Sequence, residues 1–311
     1  MRPRYQLWGT IGLVLLLVGA ALGGALWYRS RQSFDAARLL QTLPPDRSVH
    51  VYIDFAQLRA AGLLDLLTGS QTAQDADYKR FVEQTGFNYQ ADLEAVAAGF
   101  SGANMYLAAR GRFDWKRLAA YAQSQNGFCQ NSMCSMPANQ PGKSISYYML
   151  RPAVLALAVS PEQRGATMIG PYQWPKPPKL PEAPLWISAP AFAFADLKGL
   201  PAGTQAFLSP LARAQGTTFS AGAAPGDPKR FQIQMEIACN TPAEAAELAK
   251  QLSATTELLR KMLSRDKLTP NSADLSGVLV AGRFEQKETH VSGVWPIERS
   301  FLESLASGKI Q

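Results

Sequence analysis

The sequence predicts an α+β protein in which an N-terminal transmembrane helix precedes two mixed α/β halves with antiparallel strands. Three patterns predict it. An uncharged stretch runs from Leu7 to Trp27. Several later segments alternate apolar and polar residues, as half-buried strands do. Other segments repeat apolar residues at helical spacing, the longest from Pro242 to Leu263. Strands and helices interspersed with short connections are typical of α+β proteins.

The uncharged stretch has the features of a membrane-spanning helix. Arginines flank it on both sides, and aromatic residues stand at both edges, where a spanning helix meets the lipid headgroups. From Trp8 to Trp27 a helix would rise roughly 30 Å, the thickness of a bilayer's hydrocarbon core. We therefore predict a cytoplasmic stub at 1–6 and a transmembrane helix at 7–28. A cleaved signal peptide is the alternative, but its apolar region is usually only about 7–15 residues long.

The flanks of this helix indicate its orientation. The arginines are equal in number on the two sides, and the α-amino group favours an N-terminus in the cytoplasm. The expected location is therefore the bacterial inner membrane, with the lipid bilayer as one partner. The rest of the chain after the helix, which we call the body, would lie in the periplasm. Gly19 and Gly23 form a GxxxG pattern that suits close helix packing, and hence a homodimer. Small residues are also common in spanning helices that do not dimerise.

Composition and charge predict a folded body and disfavour nucleic-acid binding. The chain is 47% hydrophobic and 18% charged, so it can build a core. Its net charge is +7, and the first 32 residues contribute four arginines and no acidic residue to this total. The rest carries 27 basic and 24 acidic residues without a basic cluster, which disfavours a nucleic-acid partner.

A proline-rich segment divides the body. Residues 171–184 hold six prolines and are predicted to form an extended linker. It separates a first half at 33–170 from a second half at 185–311. Residues 111–114 and 282–285 both read Gly-Arg-Phe followed by an acid. This echo leaves open a weak duplication of the two halves.

In the first half, end signals mark the helices. Asp114 is a good N-cap, and Phe113 and Leu118 occupy the positions of a hydrophobic staple. Gly86 is a natural residue at which a helix ends. These signals and the apolar spacing predict helices at 33–42, 57–67, 75–85, 92–99 and 114–124. Alternation predicts strands at 49–55, 104–109, 144–150 and 153–160, the last two as a hairpin.

In the second half, the clearest helix begins at Pro242. Thr241 is its N-cap and Glu244 its capping-box partner. Further helices are predicted at 207–214 and 296–306. Strands are predicted at 185–189, 217–223, 231–239, 276–284 and 288–294. Within 231–239 the apolar residues share one face of the strand, and Gln232, Gln234 and Glu236 share the other.

The three cysteines fall into two groups. Cys239 ends the apolar face of a predicted strand and is expected to be a buried free thiol. Cys129 and Cys134 lie in a polar loop, where a disulfide is plausible outside the cytoplasm. Two unpaired loop thiols are the alternative. The spacing of the cysteines and of the two histidines matches no usual zinc pattern.

The sequence points to no catalytic residue and no cofactor. It contains no nucleophile elbow, metalloprotease motif, phosphate-binding loop or dinucleotide fingerprint. His50 and Asp54 share a strand face, but positions i and i+4 of a strand lie roughly 13 Å apart. A base and its orienting carboxylate need a hydrogen bond, so we expect His50 and His290 to be polar face residues. Whether the protein is an enzyme stays uncertain, and the balance is against it.

Three stretches carry a resemblance to known sequences. The runs LLQTLPPDRSVHVYIDFAQLR, YKRFVEQTGFNYQADLEAV and GRFDW fall within residues 39–160. This region resembles uncharacterised, singly anchored envelope proteins of acidobacterial type. The resemblance implies a bacterial origin and an envelope location, and it brings no activity and no functional residues.

These observations favour a membrane-anchored, extracytoplasmic protein with an interaction or scaffolding role in the envelope, acting on a protein partner. One alternative is a tethered enzyme whose site is assembled only in three dimensions. Another is a protein that binds a small or lipidic ligand in a cleft between the two halves. A cavity lined by titratable groups, an apolar tunnel or a flat apolar patch would favour the enzyme, the ligand binder or the scaffold, respectively.

Overall fold

The computed structural model describes residues 35–45, 48–64, 76–172, 180–200, 202–224, 226–267 and 269–306. Within this part of the chain, twelve strands form one sheet in which all neighbours are antiparallel. The strands are β1 Val49–Asp54, β2 Leu93–Ser101, β3 Asn104–Gly111, β4 Phe128–Gln130, β5 Met133–Pro137, β6 Ser144–Arg151, β7 Val154–Ser160, β8 Leu185–Pro190, β9 Gly216–Ala224, β10 Asp227–Ala238, β11 Arg283–Lys287 and β12 His290–Ile297. Their order across the sheet is β11-β12-β10-β9-β8-β1-β2-β3-β7-β6-β5-β4.

Helices lie on both sides of this sheet. They are α1 Ala36–Gln41, α2 Phe55–Ala60, α3 Ala76–Thr85, α4 Tyr89–Asp92, α5 Trp115–Ser124, α6 Ala202–Leu208, α7 Pro242–Arg265, α8 Leu275–Val280 and α9 Arg299–Ala306. Three short 3₁₀ segments add to them, at Gly165–Met168, Ala191–Phe194 and Ser209–Arg213.

The predicted fold class is corrected in two respects. First, in the described part of the chain no helix is both long and apolar enough to cross a bilayer. The longest helix, α7, carries acidic and basic side chains along its length. The predicted span at 7–28, with Gly19 and Gly23, lies outside the described residues. Second, the two predicted halves share a single α+β sheet, because β1 of the first pairs with β8 of the second.

Register divides the sheet into two faces. Tyr52, Ala97, Trp186 and Gln234, from four different strands, lie on the front face. In each strand, every second residue shares that face, and the residues that alternate with them lie on the back face. At the β4 end, α3 and α5 cover the back face. At the β11 end, α6, α7, α8 and α9 cover it. The front face is covered by α1 and the Gly165–Met168 segment, over β1, β2, β3 and β7.

Small side chains let α1 lie close to the front face. The strands beneath it present alanines, of which Ala95, Ala97 and Ala108 are fully buried. Leu39, Leu40 and Leu43 of α1 and the following turn are 0–2% exposed against them. Complete burial of leucine contributes a large part of the transfer free energy of its side chain. This contact therefore holds α1 on the sheet.

Most predicted elements are confirmed, and the exceptions have a physical cause. The predicted helix at 92–99 is strand β2, because pairing with both β1 and β3 outweighs the helix propensity of its alanines. The predicted strand at 276–284 is largely α8, which Asp274 caps by accepting from the Gly277 N–H at 3.1 Å. The Thr241 cap of α7 and the buried free thiol of Cys239 are confirmed. The Glu244 carboxylate accepts from the Asn240 N–H, one residue before the cap residue, so the capping box is completed one position early.

We predict that Leu40→Ala lowers the free energy of unfolding by about 2–5 kcal/mol, since it removes a buried leucine from beneath α1. Urea denaturation followed by circular dichroism measures the change. Leu258→Ala is the matched control, because Leu258 is 58% exposed on α7. Equal losses in the two variants would contradict the packing described here.

Two buried tyrosines predict how stability depends on pH. Burial raises the pKa of Tyr147 and of Tyr52 above the ordinary value, with the Asp54 carboxylate adding to the effect at Tyr52. The folded protein therefore keeps both phenols protonated where the unfolded chain ionises them. Their contribution is complete below about pH 10 and is lost progressively as the pH rises above it. We expect Tyr147→Phe to flatten this alkaline loss in urea titrations between about pH 8 and pH 11, and an unchanged slope would contradict it.

Candidate binding groove

A wide concavity lies on the front face, where α1 no longer covers the sheet. Its floor is formed by β9 and β10, and its volume is about 800 Å³. One wall is the segment 180–184, and the other is the end of α2 with the turn after it. We call this concavity the front groove. From β9 and β10 it is lined by Thr218, Ser220, Gly222, Ala223, Phe231, Gln232, Gln234 and Glu236.

Alternation along the strands makes this floor polar. In β10, Ile233, Met235 and Ile237 pack on the back face against the core, so the residues between them face the groove. This confirms the polar face predicted for this strand. Register then places Gln234 beside Ser220, and Glu236 beside Thr218. Donors and acceptors thus lie side by side across two strands.

Asp54 holds both walls of the front groove. Its backbone N–H donates to the Pro184 carbonyl at 2.7 Å, which fixes the 180–184 wall. Its carboxylate caps α2 by accepting from the Gln57 N–H at 2.8 Å and from the Gln57 side chain at 3.1 Å. The Tyr52 hydroxyl donates to the same carboxylate at 3.2 Å. One buried residue therefore sets the separation between the walls.

Gly222 allows the 180–184 wall to lie directly on β9. A Cβ at this position would lie 3.0 Å from Pro184 Cδ and 3.4 Å from Ala183 Cβ. These distances are at or inside close van der Waals contact, so a side chain would push the wall away. The glycine thereby sets the height of the groove at this point.

The ionisable side chains that line the front groove are acidic. Glu182 lies in the wall and Glu236 on the floor, and no lysine, arginine or histidine is among the described lining residues. Such a lining repels phosphate and carboxylate groups and favours neutral or basic ones.

The cysteine pair lies at the far edge of the sheet from this groove. Cys129 and Cys134 face each other across β4 and β5, with their Cα atoms 4.0 Å apart, and form a disulfide. Cys129 packs in the cluster beneath α5, and Cys134 is fully buried there. The pair fastens the edge hairpin and has no part in the front groove.

The two histidines also lie away from the groove lining. His50 is buried, and its Nε2 lies 3.0 Å from Ser48 Oγ. Asp54 is engaged with Tyr52 and Gln57 instead, as its distance along the strand predicts. His290 is exposed in β12 beside Thr289. Among the described residues no three His, Cys, Asp or Glu side chains lie together as a metal site requires.

Sequence reasoning found the floor of the groove but not its walls. The alternation of Gln232, Gln234 and Glu236 is a local signal. The walls depend on the pairing of β1 with β8, which brings α2 and the end of the proline-rich segment together. The one local signal for them was Asp54 before the helical stretch, a residue type that favours N-caps.

Comparisons with known proteins give limited similarity. No protein-family model and no curated protein matches this chain. Among solved structures, crystal form I of TP0453 is 9% identical, with a TM-score of 0.46 over 88% of this chain and 98% of that one. Crystal form IV of TP0453 is 12% identical, with a TM-score of 0.43 over 86% of this chain and 95% of that one. Similarity at this level assigns neither a family nor a function.

Thiol counting tests the cysteine pair in the native protein. In protein purified from its native cells and denatured without reductant, we expect one reactive thiol, that of Cys239, because the other two cysteines are bonded. Cys129→Ser should leave the body folded, since so short a loop contributes only about 2 kcal/mol. Three reactive thiols would contradict both the bond and an oxidising location.

Proposed function

We propose that this protein is a binding protein of the bacterial envelope, located outside the cytoplasm, and that an extended polypeptide segment of a partner lies in the front groove. The observation that carries this proposal is the hydrogen-bonding floor on β9 and β10, which none of the described helices covers. Elsewhere in the described sheet, helices or short segments cover most of the central strands.

The floor has the chemistry that a polypeptide backbone requires. Each glutamine amide can donate and accept, and each hydroxyl can do both as well. Gln232, Gln234, Thr218 and Ser220 therefore offer partners to the N–H and C=O groups of an extended chain. A hydrocarbon chain lying on these residues would leave them unpaired at a cost, so this part of the floor favours a polar partner.

The charge of the groove lining further restricts the class of segment that can bind. Glu182 and Glu236 favour a segment that is neutral or carries a lysine or arginine. They disfavour nucleic acid and phosphorylated segments. The volume of about 800 Å³ matches a segment of a chain and not a whole domain surface.

The location outside the cytoplasm has separate support. A disulfide between Cys129 and Cys134 is a feature of oxidising compartments. It agrees with the resemblance of residues 39–160 to envelope proteins.

Photo-crosslinking tests the groove in living cells. With a benzophenone amino acid at Ala61, which is exposed at the groove wall, we expect a discrete adduct of higher mass after irradiation. The same probe at Lys261, exposed on α7, is the control and should give none.

A second substitution ties the adduct to the groove. Gln234→Trp fills the floor, so it should remove the adduct formed from Ala61 while the melting temperature stays close to that of the parent chain. An adduct that survives the filled groove, or that forms equally from Lys261, would contradict the proposal.

A further inference from the structure

One part of the back face lies between the two groups of helices that pack on it. The α3 and α5 group lies toward the β4 end of the sheet, and the α6 to α9 group lies toward the β11 end. Six apolar residues of the back face lie between them, and none belongs to the packed clusters that the sheet forms with its described covering elements. We call these residues the back strip: Val51, Ala98, Phe100, Met105, Val159 and Ile187.

Strand register makes the back strip continuous. Its members lie beside one another across neighbouring strands, in the pairs Ile187–Val51, Val51–Ala98, Phe100–Met105 and Met105–Val159. Phe100 is 41% exposed and Ile187 is 39% exposed. A single exposed apolar side chain is ordinary on a protein surface, whereas a contiguous set of them marks an interaction site.

The dimensions of the back strip match those of one helix. The strip crosses the five neighbouring strands β8, β1, β2, β3 and β7, which at about 4.8 Å per strand gives a length of roughly 19 Å. Along the strands it is two side chains deep, and these rows lie roughly 7 Å apart. A helix of about 13 residues is roughly 20 Å long and 10 Å wide. The footprint of about 200 Å² falls far below the roughly 800 Å² per partner that a stable dimer needs, so the strip is too small to seat a second copy of the sheet.

The chemistry of the back strip favours a helix over an extended segment or a hydrocarbon chain. All five strands are paired on both sides, so no strand can be added here, and the strip side chains form no hydrogen bonds. An extended segment would therefore leave its own backbone groups unpaired, whereas a helix pairs them internally. A hydrocarbon chain would stay exposed to water on its outer side. An amphipathic helix covers the strip with its apolar stripe and presents its polar face to water.

We propose that the back strip binds an amphipathic helix of a partner protein, through an apolar stripe of about three to four turns. The bound helix lies between the α3 and α5 group and the α6 to α9 group, and it extends the helical cover across the middle of the back face. This site does not depend on the front groove, which lies on the other face of the sheet.

Two synthetic peptides of identical composition test the proposal on the full chain. Each has about 18 residues, long enough for a helix, and contains leucine, glutamine, glutamate and lysine with no net charge. One peptide spaces its leucines for a helix face, and the other places them at every second position, as in a strand. In fluorescence anisotropy titrations, the first should bind one-to-one and about ten-fold more tightly, because only its leucines form one helical stripe. Equal affinity of the two peptides, or no saturable binding of the first, would overturn the proposal.

Variants connect this binding to the back strip. The double variant Phe100→Ser with Ile187→Ser removes the two exposed apolar side chains of the strip, so it should weaken binding of the helix-patterned peptide by about ten-fold or more. Leu258→Ser with Met262→Ser is the matched control, because both residues are also exposed and apolar but lie on α7. Its affinity should stay within about two-fold of the parent chain. Equal losses in the two double variants would overturn the proposal.

Crosslink mapping gives a readout that needs no variant of the chain. A benzophenone group in the middle of the leucine stripe should form adducts with residues of β1, β2 or β8 in the parent chain, as located by mass spectrometry. Adducts confined to other segments would overturn the proposal.

Two further measurements test the other occupants of the back strip. In sedimentation of the full chain, a dimer that Phe100→Ser with Ile187→Ser abolishes would assign the strip to a second copy. Tighter binding of monomeric lysophosphatidylcholine than of the helix-patterned peptide would assign it to a hydrocarbon chain. Either result would overturn the proposal, and we expect neither.

Discussion

The pairing of β1 with β8 is the interaction on which the rest of the structure depends. β1 lies inside the sheet, with β2 on one side and β8 on the other. Its pairing with β8 joins the strands before the proline-rich segment to those after it. The same contact stacks Tyr52 on Trp186, with ring centroids 5.5 Å apart. Without this pairing the α2 wall and the floor of the front groove would belong to separate units.

The front face of β1 shows how a polar pattern can be buried. His50, Tyr52 and Asp54 are 5–8% exposed, whereas Val51 and Ile53 of the same strand are only half-buried. The polar residues are tolerated because each has a partner: Ser48, Asp54 and the N-terminus of α2. Burial fixes the position of Asp54, and its hydrogen bonds in turn fix both groove walls.

Two neighbouring residues of β10 face opposite sides of the sheet. Gln234 lies on the floor of the front groove, and Met235 packs in the apolar core of the back face. Strand alternation alone separates a hydrogen-bonding surface from an apolar one across a single layer of backbone. The sheet therefore supports the groove on one face and the core on the other.

The sequence predicted elements better than their arrangement. Capping and alternation located α5, α7 and the β6–β7 hairpin, because these signals are local. The helix predicted at 92–99 was wrong because its alanines favour a helix in isolation, and only pairing with partners on both sides makes this stretch a strand. The β1–β8 contact and the walls held by Asp54 join segments that lie far apart in the chain, and no local pattern encodes them.

Differential scanning calorimetry of the protein tests most directly whether the chain forms one sheet. If β1 and β8 make it a single cooperative unit, the body should unfold in one transition whose calorimetric and van't Hoff enthalpies agree. Ile187→Pro, which removes a backbone donor from β8, should lower the midpoint of that one transition. Two separate transitions in the parent chain, with only one of them moved by the substitution, would contradict the continuous sheet and with it the groove between its two parts.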